Sequence, residues 1–240
     1  MVSLPVLIRM LFCAGIVLFL SVALPQKVSA GAHDFQIWSP VYLTVNFTDK
    51  IQGWYEAQPR FGDDASQVNQ LLLRTALGYT FAHHWSIWQG YAWTPDIEPK
   101  FKTENRIYQQ LLYVQKFPAI KLMSRTRLEE RWIKDVSGTA VRFRTLLRGQ
   151  VPLGDQGRWS IVGQDEIFFN LNSPTNGPDS GLDQNRVFVG INRTLNAHLN
   201  VDAGYQLQTV NTSESGIFND KRSILLLQIF LTCDSLRGEN

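Results

Sequence analysis

The segment Arg125-Thr126-Arg127-Leu128-Glu129-Glu130-Arg131-Trp132 constrains the fold more than any other part of the chain. Successive side chains of a β-strand point to opposite faces, so Arg125, Arg127, Glu129 and Arg131 share one face. The next segment repeats the pattern, with Arg142, Arg144, Arg148 and Gln150 on one side and Val141, Phe143, Leu147 and Val151 on the other. Neighbouring strands with one charged and one apolar face fit two architectures. A soluble sandwich or ligand-binding barrel buries the apolar face. A transmembrane barrel turns it outward to lipid and points the polar residues into its lumen.

The ends of the chain favour the second. Residues 1–30 read as a secretory signal: Arg9 supplies a positive start, Leu11 to Leu24 an apolar stretch, and Val28-Ser29-Ala30 a small-residue cleavage site. A membrane-anchor helix is the competing reading, but the apolar run is short and stops at Pro25-Gln26-Lys27. Residues 31–240 are then a single expected domain. Loss of Arg9 and Lys27 lowers Lys+Arg from 23 to 21, equal to the 21 Asp+Glu. A neutral mature chain offers no global field for nucleic acid, so no nucleic-acid partner is expected. Cys233 alone remains, which excludes an intrachain disulfide and a cysteine zinc site. An exported chain of this size without disulfides needs another source of stability, and a closed hydrogen-bonded barrel in lipid is one.

Period-2 segments bounded by turn residues predict strands over 34–47, 51–61, 68–80, 85–94, 104–115, 121–133, 140–152, 158–171, 183–193, 197–210 and 221–232. Connections alternate in length. Short turns fall near 81–84, 116–119, 153–157 and 194–196, and longer Gly, Pro, Asp and Asn-rich loops near 95–103, 134–139, 172–182 and 211–220. Short periplasmic turns and long extracellular loops are the habit of outer-membrane barrels. The expectation is an all-β antiparallel transmembrane barrel of 10–12 strands, twelve being favoured over ten. Bacterial single-chain barrels have even strand numbers, which leaves segment 34–47, interrupted by Pro40, without a settled place.

The order of Asp34-Phe35-x-x-Trp38, Arg125-x-Arg127-x-Glu129-x-Arg131, Arg142-x-Arg144, Glu166 and Asn185-Arg186-x-x-x-Gly190 resembles the domain of unknown function 2490 family. The resemblance covers nearly all of the mature chain. It implies an exported outer-membrane β-barrel of a Gram-negative bacterium and supplies no reaction. The chain continues past Phe230 with Leu231 to Asn240, whereas many barrels end on an aromatic residue.

The candidate site is the charged face. Arg74, Arg106, Arg125, Arg127, Arg131, Arg142, Arg144, Arg148 and Arg186 are assigned to the lumen, with Glu56, Glu129, Glu166 and Asp202 as partners. Arg pairs bidentately with carboxylates and can lace strands together across a barrel. Small barrels fill their interior with side chains, and charges there must pair, so a structural or narrow-pore role without catalysis is the first reading. An anion-selective channel, porin-like in character, is the alternative, since rings of Arg favour phosphate-like solutes. A lipid-modifying enzyme is a third reading, resting on inward-facing His198, Ser160 and Asp202 and on His83 and His84 in a turn. No Gly-x-Ser-x-Gly elbow, His-Glu-x-x-His motif, metal-ligand cluster or phosphate loop supports it, so no catalytic residue, cofactor or metal is expected. Outer-membrane lipid is the expected surrounding, small anionic solutes are candidate partners, and the chain is expected to be a monomer. Glu130 and Asp165 would face lipid and are expected near a membrane edge.

Overall fold

The computed structural model describes residues 34–98, 100–154, 157–211 and 220–234. The signal reading of residues 1–30 and most of the loop expected at 211–220 lie outside them. Twelve strands are described: β1 (Asp34–Trp38), β2 (Val41–Asn46), β3 (Ile51–Gly62), β4 (Gln67–Ala82), β5 (Trp85–Asp96), β6 (Lys102–Lys116), β7 (Lys121–Ile133), β8 (Ala140–Leu153), β9 (Trp159–Asn170), β10 (Gly181–Thr194), β11 (Leu199–Val210) and β12 (Asp220–Asp234).

From β2 to β12 each strand pairs with the next in antiparallel register. Closure comes from β1 and β2, which both pair with β12 in parallel and with β3 antiparallel. The register is the same on both sides of the gap between them, for Trp38 faces Leu226 and Val41 faces Ile229. β1 and β2 are therefore one stave interrupted at Ser39-Pro40, and the twelve strands make an eleven-stave closed barrel. Proline lacks the N–H that the ladder needs. Its carbonyl still accepts from Ile229 N at 2.9 Å, so the break is confined to that point. The count falls within the expected 10–12 strands, while the preference for an even twelve gives way to eleven and one junction of the otherwise antiparallel sheet is parallel. Segment 34–47 is a full stave, and its parallel pairing with β12 is what permits an odd number.

This closure has a topological consequence. β1 starts at the end of the barrel that carries the connections 63–66, 97–101, 134–139, 171–180 and 211–219. β12 finishes at the opposite end, with 47–50, 83–84, 117–120, 154–158 and 195–198. The first group contains the longer connections. Asp34 and Asp234 thus sit at opposite ends.

Alternation places apolar side chains outside and polar ones inside. Leu77, Leu147 and Tyr205 are 58%, 60% and 50% exposed, whereas Glu129 and Asp202 are 0% exposed. Trp85 and Trp159 begin their strands beside short turns, while Trp93 and Trp132 lie near the long-loop end, and all four are exposed. Inside, aromatic rings lie over glycine where two strands must come close. Phe188 covers Gly190 and Gly204, which face each other across β10 and β11. A Cβ on Gly204 would meet the Val189 backbone oxygen at 2.3 Å, so no larger residue fits there.

Candidate functional site: the charged barrel interior

The interior charges are organised around buried carboxylates and one bridging arginine. Arg142 (β8) donates from Nε and Nη2 to Glu129 Oε2 (β7) at 3.0 and 2.7 Å. Arg144 Nε lies 3.2 Å from Glu129 Oε1 and 3.7 Å from Glu166 Oε1. Glu166 (β9) also accepts from Arg125 Nη2 at 2.8 Å and faces Arg186 Nη1 at 3.9 Å. Arg144 therefore links two carboxylate hubs across β7, β8 and β9. Arg148 Nη2 reaches Asp202 Oδ2 at 2.7 Å, and Arg74 donates to Glu56 at 2.9 Å.

Towards the long loops, Glu104 holds two arginines. Arg106 and Arg131 each place Nε and Nη2 on its two oxygens, at 2.6 and 3.0 Å and at 2.5 and 3.1 Å. Glu104 is absent from the sequence reading, although its spacing of two from Arg106 puts both on one face. Asp183 was missed for a different reason. Strict alternation points it outward, but the register shifts between Leu182 and Gln184, and its carboxylate lies 3.5 Å from Arg142 Nη1.

Glu129 shares the interior with Arg125, Arg127 and Arg131 of its own strand and with Arg142 and Arg144 of β8. Only the last two reach it. Arg125 pairs with Glu166, Arg131 with Glu104, and Arg127 donates from Nε to Gln110 Oε1 at 2.5 Å. Side chains two apart along a strand are farther from one another than from the residue directly opposite, and Glu129 lies directly opposite Arg142.

Aromatic rings line the same space. Tyr42 stacks on Trp54 and Phe230 at centroid distances of 5.7 and 4.9 Å. Arg127 lies 4.4 Å above the Tyr108 ring, Arg60 3.8 Å above Trp38, and Arg186 4.6 Å above Phe168. Guanidinium groups stack favourably on aromatic faces, most strongly where water is excluded.

The two ends of the interior differ. At the long-loop end Thr94, Arg106, Arg142, Asn170, Gln184 and Gln208 are all buried. The connections above them are tied together, since Ser137 bridges Thr175 and Asn170 Nδ2 donates to the Asp179 carbonyl at 3.0 Å. A cavity of about 630 Å³ occupies the remainder, from Arg60, Arg127 and Arg144 down to Lys121, Thr194 and Thr232 beside the short turns. Those lowest residues are half-buried or exposed.

The profile of the family described as protein of unknown function, DUF2490, matches residues 35–219. The chain belongs to the DUF2490 family. It is also 34% identical over 203 residues to an uncharacterised protein of Methylorubrum extorquens, an alignment spanning 83% of this chain and 88% of that one. Family membership brings no reaction with it, so function has to be argued from the barrel itself.

The residues of the enzymatic alternative are not assembled in this DUF2490 barrel. Ser160 accepts from Gln150, and Asp202 accepts from Asn192 at 2.6 Å and is ion-paired with Arg148. His198 Nδ1 lies 3.1 Å from the Thr232 carbonyl oxygen at an exposed turn. Among the described residues no hydrogen bond connects the three, which a nucleophile, base and orienting acid require. His83 and His84 stack edge to face in the β4–β5 turn, and His84 Nδ1 lies 3.1 Å from the Val114 carbonyl oxygen. Asp165 faces outward as its parity requires, but it sits midway along β9 rather than near an end. The Asn185 amide donates to it at 2.6 Å and supplies part of the hydrogen bonding that an apolar surrounding withholds. Glu130, three residues from the end of β7, is close to the rim.

Proposed function

We propose that this chain is an integral outer-membrane β-barrel with an Arg/Glu-rich lumen, filled at the long-loop end, and with a structural or narrow-pore role rather than a catalytic one. One observation carries the reading: the closed sheet is apolar outside and polar inside, with Leu147 60% exposed and Glu129 0% exposed. In water that distribution exposes the wrong face, whereas in a bilayer it is the stable one. The exposed Trp85 and Trp159 at one end and Trp93 and Trp132 at the other suit two interfacial girdles. Along β5, Trp85 and Trp93 stand roughly 20 Å apart in height, given about 3.3 Å per residue and a tilt of about 40°, close to the thickness of an outer-membrane apolar band.

Glu104 with Arg106 and Arg131, and Glu129 with Arg142, occupy the interior below the long loops. A continuous water path is not favoured through such an ion-paired layer. Refolded wild-type protein in a planar bilayer is expected to give no sustained stepwise current. Reproducible steps with an anion-selective reversal potential would instead support the channel reading, which the excess of cations over carboxylates on the cavity wall favours.

A further inference from the structure

We infer that the cavity open at the short-turn end is a binding site for an oxyanion carried on a flat apolar body, such as an aromatic carboxylate. Arg127 (β7) and Arg144 (β8) are direct cross-strand partners, and both are 2% exposed. Like charges placed opposite one another repel, and the repulsion grows where water is excluded. Arg144 has Glu129 and Glu166 beside it. Arg127 has no carboxylate in ion-pair contact among the described residues. Its partners are the Gln110 amide oxygen and the faces of Tyr108 and Trp54.

Donors remain free along this wall. Arg127 Nη1, Arg144 Nη2 and Arg148 Nη1 are buried without a hydrogen-bond acceptor, and all three residues line the cavity. The wall as a whole carries eight Arg and Lys side chains against two glutamates. Buried guanidinium nitrogens without acceptors are costly, so a cavity built this way is stabilised by a bound anion.

The apolar half of the ligand is set by the opposite wall. The stacked rings of Phe230, Tyr42 and Trp54 lead to Arg127, whose guanidinium carbon is 5.5 Å from the Trp54 ring. A planar group resting on that stack would direct its carboxylate at the free nitrogens. The 630 Å³ volume falls within the range of about 300–1,000 Å³ typical of small-ligand sites. If the outer-membrane reading holds, the mouth faces the periplasm and the ligand enters from there. The binding itself requires only the closed barrel.

The test is calorimetric titration of 2-naphthoate into the full refolded barrel in detergent, with the heat of micelles alone subtracted. Saturable binding to wild type is expected, weakened by about tenfold or more in Arg127→Met, as loss of a charge-assisted hydrogen bond entails. Arg127→Met leaves no carboxylate unpaired, so it should keep the heat-modifiable gel mobility of a folded barrel. Phe230→Leu is a second variant, in which naphthoate should weaken while inorganic phosphate is unaffected. The neutral isostere 2-naphthalenemethanol should not bind saturably. Absent naphthoate binding, or equal affinity in wild type and Arg127→Met, overturns the assignment. Phosphate binding as tight as naphthoate would overturn its aromatic half. Recovery of the barrel outside the membrane would refute the outer-membrane reading while leaving this site standing.

Discussion

Replacing Glu129 by alanine tests the interior network where it is most heavily loaded. Glu129 is fully buried and holds Arg142 by two hydrogen bonds and Arg144 by an ion pair, both partners being at most 5% exposed. Without it Arg142 keeps only Asp183 at 3.5 Å and Arg144 only Glu166 at 3.7 Å. Truncating one member of a buried ion network typically costs about 3–5 kcal/mol, because the remaining charge stays desolvated. That corresponds to roughly two to three and a half orders of magnitude in the folding equilibrium. Glu130, the next residue, faces outward near the rim between Ile107 and Val141, so Glu130→Ala should cost less than about 1 kcal/mol. Urea titration of barrels folded in detergent, read by heat-modifiable gel mobility, compares the two. Equal losses would mean that Glu129 is solvated, since hydration shrinks the penalty towards the roughly 1 kcal/mol of surface pairs. A larger loss from Glu130→Ala would show the register of β7 to be wrong by one and would refute every interior assignment built on it.

Gly204→Ala should lower the urea midpoint by the equivalent of about 1–3 kcal/mol, because the new Cβ meets backbone of β10 rather than a movable side chain. An unchanged midpoint would mean that β10 and β11 are not packed this closely. Leu147→Arg, at a 60% exposed outward position midway along β8, should destabilise the barrel in lipid vesicles by about 2–4 kcal/mol, and a cost near zero would argue against a bilayer around it. Trypsin added to intact cells should cut at exposed Lys100 in the β5–β6 connection, or at Lys102 just beyond it, and spare exposed Lys116 and Lys121, which flank the 117–120 turn, with the reverse pattern indicating inverted insertion. An epitope placed immediately before Asp34 should be reachable from outside and one after Asp234 should not, as the parallel β1–β12 pair requires. Both tags on one side would contradict the eleven-stave closure.

Side-chain direction was legible in the sequence because alternation offers only two choices and the apolar residues decide between them. Arg74, Arg127, Glu129, Glu166 and Asp202 therefore follow from period 2 alone. Partner choice was not legible, because it depends on how strands are offset. Glu129 takes Arg142 from directly across the ladder, while Arg125, on the same face of the same strand, is handed to Glu166 two strands away. Asp183 was hidden by a bulge that no local residue announces. Pro40 interrupted segment 34–47 and left its place in the barrel open, although the stave runs through it in unbroken register. The depth of Asp165 was likewise unreadable, since parity fixes a side and says nothing of height.

The outer-membrane assignment is tested most directly by where the protein is found and what releases it. Outer-membrane fractions of the producing bacterium should contain the chain, resistant to high salt and alkaline carbonate and extracted only by detergent. Recovery in the soluble periplasmic fraction, folded and monodisperse without detergent, would contradict the account, in which exposed Leu77, Leu147, Tyr205 and Ile191 on the outer face are proposed to meet lipid.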